Sequence, residues 1–252
     1  MNQHNIIEVT DLVKKYADFT AVNKISFQVK KGEIFGLLGP NGAGKSTTIE
    51  IMETLKNKTS GQVIINGLNI ETNALDIKKI IGIQLQAASF YPNLNLQELL
   101  QMFAGLYQVE IDVFEMLSMV DLLDKKKSKF KELSGGQKQR FSIATTLINK
   151  PIIIFLDEPT TGLDPTARRN LWALLKKINN AGNTIIITTH YMDEADYLCD
   201  RIAIIDCGKI ITVDTPTNLK NNLVASGFKK ETTLIQANLE DVFINLTNKS
   251  LA

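Results

Sequence analysis

"EIFGLLGPNGAGKST", residues 33–47, decides the fold. Its first half is a short apolar run, as expected of a strand buried on both faces. Its second half is Gly39-x-x-x-x-Gly44-Lys45-Ser46, a glycine-rich turn opening a helix expected over 44–54. The loop Gly39, Pro40, Asn41, Gly42, Ala43 and Gly44 presents backbone N–H groups and a helix N-terminus, which together make an anion nest. Glycines let the backbone approach phosphates without a Cβ in the way. Lys45 is placed to bridge terminal phosphates, Ser46 to ligate Mg²⁺ and Thr47 to contact an α-phosphate. The expected ligand is a nucleoside triphosphate.

A second buried-strand run, "PIIIFLDE" (151–158), ends in two acids. In open parallel sheets the carboxyl ends of the strands carry the ligand. Asp157 is therefore expected to hold Mg²⁺ through water, and Glu158 to accept a proton from attacking water. Positioning and charge neutralisation are most of what phosphoryl transfer requires.

Further runs complete the core. "IIEVT" (6–10), "ISFQV" (25–29), "GQVIING" (61–67), "KIIGIQLQ" (79–86), "TIIITTH" (184–190) and "IAIID" (202–206) read as strands, and "DCGK" (206–209) as a tight hairpin turn. Asn95 and Glu98 form a capping-box pattern before an apolar helix. Helices are also expected over 113–123, 135–149 and 165–180. The fold class is α/β: a P-loop NTPase core with a mostly parallel sheet, an N-terminal antiparallel β part and an α-helical subdomain. The expected organisation is an ATP-binding core from 1–86 and 151–230, a helical subdomain over 87–150 and a C-terminal segment over 231–252.

The 252-residue chain is 44% hydrophobic and 22% charged, with net charge +1, and no nucleic-acid partner is expected from that balance. "KKKSK" (125–129) is a local exception, read as a solvated helix end or as an anionic contact. Cys199 and Cys207 lack C-x-x-C spacing and suggest free thiols in a reducing compartment. No apolar run reaches the 18 or more residues of a membrane helix, so any membrane role is expected through a partner.

"LSGGQKQR" (133–140) is a second glycine-rich helix start, with no lysine inside its turn. Ser134 and Gln137 fit a capping box, but Gly135 and Gly136 weaken a helix unless a ligand approaches the backbone. One P-loop already surrounds most of a triphosphate. The second anion site is best used on a triphosphate held by another copy.

"LSGGQ" resembles the signature of the ATP-binding cassette (ABC) ATPases, and other motifs follow that family's order over residues 6–215. Tyr16 is similar to the aromatic that stacks on adenine. Gln86 resembles the Q-loop glutamine, which implies catalytic and Mg²⁺-ligating roles. "LDEPTTGLDP" (156–165) is similar to the Walker B and D-loop block, and His190 in "ITTHYMDEAD" to the switch histidine. The chain departs from the common pattern at Leu85 and at "ATTL" (144–147). The resemblance implies a head-to-tail homodimer or paired cassette in the ATP-bound state. ATP would lie between one copy's P-loop and the other's Ser134, Gly136 and Gln137, with Asp164 organising the shared interface.

The resemblance further implies an ATPase that energises export through a separate transmembrane permease, at the inner face of the cell membrane. "TTHYMDEAD", "GIQLQ" and "ANLEDVFINLT" (237–247) resemble the multidrug and antibiotic export branch. The alternatives are an importer cassette, a soluble ABC ATPase acting on DNA or ribosomes, and a nucleotide sensor without turnover. No coiled-coil insert fits between Gln86 and Ser134, and the presence of Glu158 and His190 argues against the sensor. Docking on the permease is expected through "AASFYPNLN" (87–95), with Phe90 and Tyr91 as exposed anchors.

Overall fold

The computed structural model describes residues 5–84 and 90–228. Gln86 and Leu85 lie outside the described residues, as does the 231–252 segment.

The N-terminal part is an antiparallel sheet. Strands β1 (Asn5–Tyr16) and β2 (Phe19–Lys30) form a long hairpin, joined by β4 (Ser60–Ile65) and β5 (Leu68–Asn69) in the order β2-β1-β4-β5. The central sheet has six strands: β3 (Ile34–Leu38), β6 (Ile81–Gln84), β7 (Ile153–Asp157), β8 (Thr184–Thr189), β9 (Arg201–Asp206) and β10 (Lys209–Asp214). Their order is β10-β9-β3-β8-β7-β6, parallel except for the β9–β10 hairpin.

Strands β3, β7 and β8 are buried at every residue, which explains their unbroken apolar sequences. Their side chains alternate between two cores. Ile154, Leu156, Ile185 and Ile187 face one core, with Phe141 of α5 (Gly135–Thr146) and Trp172 of α6 (Pro165–Asn180). Ile153, Phe155 and Ile186 face the other, with Val9 of β1 and Ile49 of α1 (Lys45–Met52). The parallel strand ends, and the loops leaving them, are thereby fixed from both sides.

Helix α3 (Leu96–Tyr107) begins with the expected capping box: Asn95 accepts from Glu98 N and Glu98 accepts from Asn95 N. Helix α4 (Val113–Met119) is shorter than 113–123 and passes through a turn into a 3₁₀ segment, and α5 ends at Thr146 rather than 149. Helix α6 covers 165–180 as expected, with Asp164 at its N-cap and proline at its first position. The 206–209 turn has Cys207 at φ +46° and Gly208 at φ +74°, the two left-handed residues of a type I′ hairpin.

One strand expectation fails in part. Lys79 and Ile80 end the short helix α2 (Ala74–Ile80), and the strand begins only at Ile81, described as far as Gln84. Asp76 and Lys79 pair along that helix, and Ile77 anchors it in the core. Helix α7 (Met192–Leu198) follows β8, and α8 (Pro216–Ala225) follows β10. Among the described residues no helix is long and apolar enough to cross a membrane.

The expected docking pair splits. The Phe90 ring packs 4.4 Å from Phe130 and 5.3 Å from Phe141 between ring centres, inside the cluster of the helical part. Its area is therefore already used within the chain. Tyr91 remains exposed.

Glu53, at the C-cap of α1, is 1% exposed, and neither of its carboxylate oxygens has a hydrogen-bond partner among the described residues. Burial, with Asp157 and Glu50 adding to it, lifts its carboxyl from 4.5 to about 8. Across that window the folded chain holds a proton that the unfolded chain releases. Glu53 therefore contributes stability that is present at the acid end of this window and is lost as pH rises toward about 8, by on the order of 1 kcal/mol per pH unit at most. Glu53→Gln should flatten this slope. Urea denaturation at about pH 5, 6.5 and 8 checks it, and an unchanged slope would mean that Glu53 is ionised throughout.

Candidate nucleotide site

The loop after β3 turns into α1 through Gly44, the N-cap, at φ +100°. A Cβ on Gly44 would stand 2.4 Å from Ala21 O, so only glycine lets the loop pass this close to β2. The loop opens into a cleft of about 390 Å³ lined by Tyr16, Ala21, Asn41, Gly42, Gly44 to Thr47 and Glu158. Phe19 also lines it and was not anticipated. It is the cross-strand partner of Tyr16 in the β1–β2 hairpin, so hairpin register was the signal that could have found it.

Lys45 is 4% exposed. Its Nζ donates to Gly39 O at 2.8 Å and to Pro40 O at 3.0 Å, and lies 3.5 Å from Glu158 Oε1. The cation is thus held at the loop by two carbonyls and one carboxylate. Ser46 Oγ donates to Asp157 Oδ1 at 3.2 Å, although 111 positions separate them in sequence. Thr188 also donates its hydroxyl to Asp157 Oδ1. Parallel pairing of β7 with β8 places Asp157 beside Thr188 and accounts for that contact.

Glu158 sits just past the end of β7 at φ +47°. Its N–H is held by Thr188, through Oγ1 at 3.0 Å and the backbone carbonyl at 3.2 Å. These contacts fix a conformation uncommon for a non-glycine residue. They aim the carboxylate back across the cleft. Oε2 accepts from Thr161 Oγ1 at 3.2 Å, and Oε1 lies 3.2 Å from His190 Nδ1, without hydrogen-bond geometry for that nitrogen. Lys45 and His190 therefore converge on the same carboxylate oxygen, Oε1.

Glu194 was also not anticipated. It is fully buried in α7 and accepts from Trp172 Nε1 at 3.0 Å. Burial raises its carboxyl above the usual range, opposed by hydrogen bonding to Thr189, Thr160 and Trp172. Its one contact with full hydrogen-bond geometry among the described residues is to Trp172, which ties α7 to α6.

The signature residues lie elsewhere in the chain and do not line this cleft. Ser134 caps α5 and accepts from Gln137 N at 3.3 Å, while Gln137 Oε1 accepts from Ser134 N at 2.9 Å. The capping box thus accounts for both residues within one chain. Gly136 also has an intrachain reason, contrary to the expectation that both glycines answer to a ligand. A Cβ there would meet Ala167 Cβ of α6 at 2.9 Å. Gly135 faces only Leu163, at 3.9 Å. Asp164 Oδ1 accepts from Ala167 N at 2.7 Å, so Asp164 and Gly136 stand at the same α5–α6 junction.

A phosphate loop, a buried lysine and a paired serine and aspartate, with a separate LSGGQ helix start, match a known arrangement. The ABC transporter family profile matches residues 22–161. The chain belongs to the ABC transporter family. This cassette is 41% identical over 220 residues to the probable multidrug ABC transporter ATP-binding protein YbhF of Escherichia coli. That alignment covers 85% of this chain and 38% of the relative, so the cassette spans well under half of that protein. It is 40% identical over 223 residues to the linearmycin resistance ATP-binding protein LnrL of Bacillus subtilis, covering 86% of this chain and 72% of the relative. Among solved structures, a dimeric ATP-binding cassette in a post-hydrolysis state with ADP and Pi superposes with TM-score 0.74 at 28% identity. It covers 83% of this chain and 98% of its own.

Proposed function

We propose that this cassette is the ATP-hydrolysing subunit of an ABC exporter, working at the inner face of the cell membrane on a separate transmembrane permease. The observation that carries the reading is the convergence of Lys45 and His190 on Glu158 beside the phosphate loop. A sensor without turnover has no use for a carboxylate held so close to a phosphate-binding lysine. The relatives' names, a multidrug transporter and a linearmycin resistance protein, support the export direction.

In this reading residues 1–86 and 151–230 bind ATP, 87–150 carries the signature and 231–252 is a C-terminal segment. Tyr16 and Phe19 offer aromatic faces to the base. Backbone N–H groups of Gly42 to Thr47 hold the phosphates, and Lys45 moves its charge from the loop carbonyls to the terminal phosphates. Ser46, exposed to the cleft, and the buried Asp157 bring two oxygens within 3.2 Å, a set suited to Mg²⁺. Bound there, Mg²⁺ neutralises charge on the transferring phosphate. Glu158 takes the proton of the attacking water, with His190 against the same carboxylate oxygen that faces Lys45. Gln86, outside the described residues, is assigned to the same reaction as a Mg²⁺ ligand.

ATP lies between two copies, with Ser134, Gly136 and Gln137 of one facing the phosphates of the other. The test is twofold. Purified chain should release phosphate from Mg-ATP, and affinity-tagged chain should bring down a polytopic membrane protein from detergent-solubilised membranes. Absence of phosphate release overturns the ATPase reading. Recovery of ribosomes or nucleic acid in place of a membrane protein overturns the transport reading.

A further inference from the structure

We propose that Gly208, at the tip of the β9–β10 hairpin, is a positioning residue for the phosphate loop. It aims a backbone donor it never shares with the nucleotide. The proposal rests on the nucleotide-binding part of the reading above.

Gly208 does not line the cleft. Its N–H donates to Ala43 O at 3.0 Å, inside the phosphate loop, and its own carbonyl accepts from Asn23 N at 2.8 Å. The hairpin tip is therefore bonded on one side to the loop and on the other to β2. Ala43 O belongs to the same planar peptide as Gly44 N. In a trans peptide the C=O and N–H point in opposite directions. A donor that captures Ala43 O from outside the cleft turns Gly44 N–H away from itself, toward the side where the phosphates bind.

No side chain fits at this junction. A Cβ on Gly208 would stand 2.8 Å from Ala21 O and 3.5 Å from Asn23 N. A Cβ on Gly44 would stand 3.6 Å from Gly208 Cα, as well as close to Ala21 O. Three backbones, from β2, the phosphate loop and the hairpin tip, thus meet without side chains between them. The β2 strand begins at Phe19, so the same junction sets the phosphate loop against the Tyr16–Phe19 end of the cleft.

The chain contains its own control. The β4–β5 turn has Asn66 at φ +49° and Gly67 at φ +79°, nearly the backbone of Cys207 and Gly208. A Cβ on Gly67 would meet nothing within 4 Å. Alanine at either glycine meets the same left-handed backbone strain, and only Gly208→Ala also presses on β2 at Ala21 O, which must shift the tip whose N–H holds Ala43 O.

The experiment compares Gly208→Ala with Gly67→Ala. ATP and ADP binding are measured by calorimetry, and phosphate release by steady-state kinetics. Gly208→Ala should raise Kd for both nucleotides and KM for ATP by about tenfold or more, with kcat within about threefold. Gly67→Ala should lose thermal stability through the shared backbone strain alone and keep Kd and KM. Equal Kd values in the two variants overturn the proposal, as does a loss confined to kcat. Wild-type hydrogen exchange gives a reading that needs no variant to fold. Saturating ADP should slow exchange in a peptide spanning 205–210 and leave one spanning 64–69 unchanged. No change at 205–210 overturns the proposal, while failure of wild-type protein to bind either nucleotide would instead overturn the reading beneath it.

Discussion

Glu158→Gln is expected to lower phosphate release by about 10²–10⁴-fold, the contribution a general base makes, while ATP still binds. The carboxylate has no other job that glutamine cannot perform. Its N–H contacts to Thr188 are backbone contacts and survive the change. The amide oxygen can still accept from Thr161, as Oε2 does now at 3.2 Å. What glutamine cannot do is take a proton from water. It also removes the negative charge 3.5 Å from Lys45, which leaves the lysine freer to serve phosphate, so affinity should hold or tighten. Single-turnover phosphate release and equilibrium ATP binding measure the two effects separately. Wild-type turnover in the variant would take Glu158 out of the base role.

The same variant exposes the second large effect. With hydrolysis blocked, ATP should convert the chain from monomer to dimer in size-exclusion chromatography. Adding Ser134→Arg should return it to monomer. Ser134 spends its side chain on capping α5, and arginine would lose that cap at a cost of about 1 kcal/mol. Ser134→Asp removes this ambiguity, because aspartate caps a helix as well as serine does and sets a negative charge against the facing phosphates. Both double variants should stay monomeric with ATP. If the aspartate version dimerises as fully as Glu158→Gln alone, the facing site is not Ser134.

Much of the site was legible because its signals are local. The phosphate loop needs glycine, lysine and serine at fixed offsets, and the capping boxes at Asn95 and Ser134 need a partner three residues on. The hairpin at Cys207–Gly208 and the helix from Pro165 to Asn180 likewise follow from turn chemistry, capping and period. Each of these is decided by interactions within about one turn of chain. Completely buried strands such as β7 and β8 announce themselves by having no polar face to show.

Tertiary structure decided the rest. The strand order puts β8 between β3 and β7, and so brings Ser46 to Asp157 and His190 to Glu158 at one end of the sheet. No local pattern contains that pairing, because it depends on which apolar faces are buried together across the whole chain. The same cause moved Phe90 from an expected surface anchor into the cluster with Phe130 and Phe141. It put Glu53 and Glu194 out of reach of water, where their carboxyls hold protons more tightly. It also gave Gly136 a neighbour in Ala167 that sequence could not supply. The amino-acid sequence alone determined which chemical groups the chain owns and the local turns that present them. Which groups meet was settled only by packing, since burial free energy is summed over the entire core and is not written at any single position.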